Sequence, residues 1–121
     1  MRFDLLALAT SLITFVLGMG WLFKGTLLLK RWAIEPNAVG LLIGRRIGVI
    51  YLSLSLIFFL ARSAPPSDAR SALSAGALVA CTLLAALGWF EFKARRVGPG
   101  ILVSVTAELM LSAGFASFLL A

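Results

Sequence analysis

Four stretches of the chain are apolar for long enough to cross a bilayer, and short charged connections separate them. Leu5 to Phe23 is nineteen residues without a charge. Asn37 to Arg62 is equally apolar but carries two adjacent arginines, Arg45 and Arg46, and three glycines four apart, Gly40, Gly44 and Gly48. Ser71 to Phe90 is twenty residues without a charge. The last stretch begins near Ile101 and contains one charge, Glu108. A spanning helix needs about 20 apolar residues. The pattern therefore predicts an all-α fold, an integral membrane four-helix bundle in antiparallel up-down-up-down order. It forms one transmembrane domain over residues 1–121, with spans near 4–23, 37–61, 69–90 and 99–120.

The connections sharpen these boundaries. Arg2 before the first stretch suggests a signal peptide, but Asp4 cancels it, the run is long, and no small-x-small site precedes Lys24. It reads as a spanning helix. Lys24 to Pro36 is basic, with Trp21 and Trp32 at its borders, where indoles settle at the headgroup level. Gly25 to Leu29 either extends the first helix or lies along the interface, and Pro36 suits the first turn of the second helix. Pro65 and Pro66 stop that helix, and Ser67 or Asp68 can cap the third. So short a link is expected to make the second and third spans neighbours. Gly98-Pro99-Gly100 breaks the chain before the fourth.

Basic residues orient the bundle. Lys24, Lys30, Arg31, Lys93, Arg95 and Arg96 share one side, and Arg45 and Arg46 lie near it. The other side has Arg2, Arg62 and Arg70, offset in part by Asp4 and Asp68. Lysine and arginine favour the cytoplasm. The expected location is the inner (plasma) membrane, multi-pass, with both termini on the outer side.

Two features inside the spans invite a function. Arg45 and Arg46 lie about 12–14 Å into the second span and Glu108 about 15 Å into the fourth, at 1.5 Å per residue. The charges thus reach one depth on parallel helices, with Ser104 and Ser112 flanking Glu108 and Tyr51 and Ser55 continuing the glycine line. Three readings of the arginines stand: they snorkel to the headgroups, one pairs with Glu108, or they join Tyr51 and Glu108 in a ligand, ion or proton site. Glu108 by itself reads either as part of such a site or as a protonated carboxyl hydrogen-bonded within the bundle. The pairing reading predicts that Glu108 approaches Arg45 or Arg46. The second feature is small residues that suit close helix contact: Gly40, Gly44 and Gly48 in the second span, and Ala72, Gly76, Ala80 and Gly88 in the third. Ser11 and Thr14 are expected to bond back to their own helix, and Cys81 to fill apolar space.

Composition removes several classes of function. The chain is 61% hydrophobic and 13% charged, against about 25% charged in soluble domains. The net charge of +6 reflects topology signals, so nucleic acid is not an expected partner. With no histidine and a single cysteine, zinc, histidine-ligated haem, intrachain disulfides and Ser-His-Asp chemistry are excluded within this chain. No metal site and no catalytic residues are expected.

The size, the four spans, the run Gly44-Arg45-Arg46-Ile47-Gly48 and the Gly-Pro start of the last helix resemble the small bacterial four-helix membrane proteins of the DoxX-like kind and related families of unknown function. The resemblance implies an inner-membrane bundle. In that kind, some members are associated with quinol or thiosulfate oxidation and others are accessory subunits. The expected function is a non-catalytic accessory or assembly subunit of a larger membrane complex, with other subunits and membrane lipids as partners. The alternative is a small homo-oligomeric transporter or ligand-binding protein, for quinone or lipid, with no cofactor supplied by the chain itself.

Overall fold

The apolar stretches all become helices, and a fifth, short helix interrupts the first basic connection. The computed structural model describes residues 2–120. Its elements are α1 (Phe3–Phe23), α2 (Gly25–Arg31), α3 (Ala38–Ala61), α4 (Asp68–Lys93) and α5 (Ile101–Leu120), with no strand among the described residues. α1, α3, α4 and α5 are each long and apolar enough to cross a membrane. Only 17% to 39% of each apolar window is buried within the chain. Their outer faces carry large side chains such as Leu12, Val16, Leu60, Leu83, Val103 and Met110. A water-soluble fold does not expose apolar surface on that scale, whereas a membrane covers it with lipid.

Helix ends follow local chemistry. The Asn37 side chain accepts a hydrogen bond from the Gly40 amide and starts α3, so Pro36 lies just outside the helix rather than in its first turn. Ser67 caps α4 by accepting from the Arg70 amide. α2 and α4 both end in a left-handed residue that is not glycine, Ala33 (φ 58°) and Arg95 (φ 61°). Each closes a Schellman motif. The Ala33 and Ile34 amides reach the Lys30 and Leu29 carbonyls, and the Arg95 and Arg96 amides reach the Phe92 and Glu91 carbonyls.

The spans associate as two pairs. α1 packs along α3, and α4 packs along α5. Ser11 meets Ser55, Gly18 meets Gly48 and Trp21 meets Gly44, so the contacts ascend α1 while descending α3. The expectation that the second and third spans are neighbours is not met, because α3 and α4 hardly touch despite their short link. Shape decides this. A Cβ placed on Gly48 would lie 2.8 Å from the Gly18 carbonyl oxygen, and one on Gly18 would lie 2.9 Å from the Gly48 carbonyl oxygen. The two backbones are in contact, an approach that only glycines permit and that α4 does not offer to α3. Trp21 fills the space above Gly44 and is buried, edge-on to Trp32 at 5.4 Å. It is thus a packing residue rather than the headgroup anchor expected of it.

The two pairs meet at both ends. At one end Phe3, Leu6 and Ala7 of α1, Phe58 of α3, and Leu111 and Phe115 of α5 form the buried core, with Leu73, Ala77 and Leu78 of α4 against it. Arg70 closes this end by stacking over the Phe3 ring at 4.2 Å and the Phe118 ring at 5.1 Å. At the other end α2 folds back, with Leu28 over Gly20 and Leu29 near Gly40. Its cap is bound by the α4–α5 link, where the Gly98 amide donates to the Trp32 carbonyl at 2.8 Å.

Candidate functional site

Two sets of polar groups inside the spans join one helix to another. The first lies in the α1–α3 contact. Ser11 Oγ donates to the Ser55 carbonyl at 2.8 Å, and Ser55 Oγ donates to the Ser11 carbonyl at 2.7 Å. The two hydroxyl oxygens lie 3.1 Å apart. Ser11 therefore bridges two helices, contrary to the expectation that it bonds to its own. Thr14 does bond to its own helix, donating to the Thr10 and Ser11 carbonyls. The bridge was hidden in the sequence because a lone serine in an apolar run has nothing to mark its partner. Replacing either serine by alanine is expected to cost about 0.6 kcal/mol, a typical interhelical hydrogen bond in a membrane. The costs should add, because each hydroxyl donates to a backbone carbonyl that the other substitution leaves in place. Reversible unfolding of both single variants and the double variant measures this, and a large coupling would contradict it.

The second set surrounds Glu108. This residue is half-buried on α5, with the Tyr51 phenol of α3 and the Cys81 thiol of α4 within electrostatic reach of its carboxylate. One turn along α5, Ser112 is buried and accepts a hydrogen bond from Thr82 of α4 at 3.3 Å. Ser104 is half-buried one turn the other way. Glu108, Tyr51 and Cys81 thus lie within electrostatic reach of one another on three different helices. Cys81 is free and half-buried, and it packs against the buried core, in keeping with its expected place in apolar space.

The Glu108 carboxylate forms no ion pair and no side-chain hydrogen bond among the described residues, and the expected pair with Arg45 or Arg46 is not made. Both arginines are exposed. The reason is rotational. Gly44 and Gly48 are locked against α1, and Arg45 and Arg46 are turned away from Gly44 by about 100° and 200° at 3.6 residues per turn. Tyr51, three residues after Gly48, is the α3 side chain within electrostatic reach of Glu108. Equal depth was visible in the sequence; the rotation set by the glycine contact was not.

The small residues divide likewise. Gly44 and Gly48 are buried against α1, while Gly40 is half-buried near Asn37 and Leu29. Gly88 is buried against Val105 and Ile101 of α5. Ala72, Gly76 and Ala80 are exposed, and a Cβ on Gly76 would meet nothing within 4 Å. No group of three or more metal-ligating acids, cysteines or histidines occurs among the described residues. The chain matches no protein-family model. Neither a curated protein nor a solved structure is significantly similar to it.

Proposed function

We propose that the chain is a non-catalytic accessory or assembly subunit of a larger inner-membrane complex. The observation that carries this reading is the open face of α4, where Ala72, Gly76 and Ala80 repeat every four residues and are exposed, with open space around Gly76. Against lipid such a groove gains little, whereas against a partner helix it allows close backbone approach. α4 is also the span least buried within the chain, at 17%. The DoxX-like resemblance agrees, since accessory subunits occur in that kind. Extraction in mild detergent followed by native mass measurement should find the chain bound to other membrane proteins. Gly76→Leu should release them while leaving helix content unchanged. Isolation as a lone monomer with an activity of its own would sink the proposal.

A second reading, a small homo-oligomeric transporter or a quinone- or lipid-binding protein, is favoured by Glu108, a half-buried carboxyl inside a span without an ion-pair partner among the described residues. It predicts substrate movement in liposomes containing only this chain, lost in Glu108→Gln. Quinone extracted from the purified protein would specify the ligand.

In either case the proposed topology is up-down-up-down, with the termini and the Pro65-Pro66 link outside. In a Cys81→Ala background, a cysteine at Ser67 should react with an impermeant thiol reagent applied to intact cells, and one at Ala94 should not. The reverse pattern would invert the orientation.

A further inference from the structure

The basic end of the molecule holds a concavity that the proposed function does not use. It has a volume of about 530 Å³ and lies between the end of α4, the α4–α5 link and the cap of α2. Ala33, Phe92 and Val97 give it an apolar floor, and Lys93, Arg95 and Arg96 give it a cationic wall. We propose that it binds the phosphate headgroup of an anionic membrane lipid.

Three independent observations point to that ligand. The first is position. The concavity sits where a spanning helix ends, beside Trp89 and Phe90, which are 50% and 61% exposed, as expected at the boundary between acyl chains and headgroups. The second is charge. Glu91, the acid closest to this wall in the chain, accepts two hydrogen bonds from Arg96 and is neutralised by it. That hydrogen bond also raises the Arg96 guanidinium above its already high usual pKa, so its charge is permanent. Arg95 forms no ion pair among the described residues, and the Lys93 ammonium rests over the Trp89 ring at 5.4 Å. A monovalent anion thus meets surplus positive charge. The third is construction. Arg95 is held left-handed at φ 61°, a conformation arginine adopts only when the surrounding hydrogen bonds impose it. Ala33, also left-handed, comes from the end of α2 and packs against Gly98, which fixes that part of the floor. The Schellman bonds occupy the Phe92 and Glu91 carbonyls at the end of α4 and the Lys30 and Leu29 carbonyls at the end of α2.

The joint demand for an anion and an apolar floor selects an amphiphile over a free phosphate. Basic pockets at membrane boundaries attract such headgroups.

The test reconstitutes the full chain in mixed vesicles of phosphatidylcholine and phosphatidylglycerol, with bromine on the acyl chains of one lipid at a time. Trp89 and Trp32 report the lipid beside the site by fluorescence quenching. Brominated phosphatidylglycerol should quench more than its vesicle fraction accounts for, an enrichment of about threefold or more for a site with two free cations. Lys93→Gln with Arg95→Gln should abolish the enrichment, and Arg95→Lys should keep it. Lys24→Gln with Lys30→Gln removes two cations at the same end of the bundle but outside the concavity, and should also keep it. No enrichment in the natural chain would overturn the proposal. An equal loss in the Lys24 and Lys30 variant would do the same, by reducing the effect to general surface charge. Displacement by soluble glycerol phosphate would show a site for free phosphate and overturn the lipid assignment. Circular dichroism of each variant establishes that helix content is unchanged.

Discussion

Gly48→Ala is expected to destabilise the protein by about 2–3 kcal/mol, whereas Gly76→Ala should be neutral or stabilise it by about 0.5 kcal/mol. The substitution is the same and the helical setting is the same, so helix propensity favours alanine at both sites. The surroundings differ. At Gly48 the added methyl would meet the Gly18 carbonyl oxygen at 2.8 Å, the Leu22 amide nitrogen at 3.0 Å and Trp21 Cβ at 3.3 Å. Two of these are backbone atoms and cannot rotate aside. α1 and α3 must separate, which also stretches the Ser11–Ser55 bridge a little under two turns away. At Gly76 the methyl enters open space. Equilibrium unfolding in one detergent, with helix content as the probe, compares the two. Equal effects would mean that the α1–α3 contact is not the close backbone contact described.

Gly100→Ala should be at least as costly, about 3 kcal/mol. A Cβ there would lie 2.2 Å from the Arg31 carbonyl oxygen and 3.2 Å from its carbon. No side-chain adjustment relieves a clash with a carbonyl, so the α4–α5 link must lift off the end of α2. The hydrogen bond from the Gly98 amide to the Trp32 carbonyl would be lost with it. Amide hydrogen exchange separates this effect from global unfolding. Protection should fall at Gly98 and around Trp32 while the Phe58–Phe115 end stays protected. Natural stability with unchanged protection at Gly98 would rule out the docking.

These two glycines also show where the sequence was readable and where it was not. The four spans were legible because runs such as Leu5–Phe23 and Ser71–Phe90 have one physical explanation at their length. Pro65-Pro66, Ser67 and Gly98-Pro99-Gly100 marked their limits for equally local reasons. Partner choice was not legible. It depends on Gly18 meeting Gly48, and nothing near Gly18 distinguishes it from the other glycines of the chain. The bend at Lys24 that creates α2 has no proline to announce it. In the site, Glu108 and its serine neighbours stood out as polar groups in hydrocarbon. That Tyr51 comes within electrostatic reach of Glu108 while neither arginine pairs with it follows from the rotation of α3, which is fixed by contacts from another helix.

Because α1 pairs with α3 and α4 with α5, biosynthesis is divided as well. Once the ribosome has released the chain through Ser67, every residue of the α1–α3 contact has been made, and no later residue takes part in the Gly18–Gly48 and Ser11–Ser55 contacts. The first hairpin can close while the second is still being translated, and the second then docks through Phe115, Leu6 and the α2 cap. A gene cut between Pro65 and Pro66 and expressed as two fragments is therefore expected to yield a reassembled protein, whereas a cut within the Lys24–Pro36 connection would separate partners that need each other from the start.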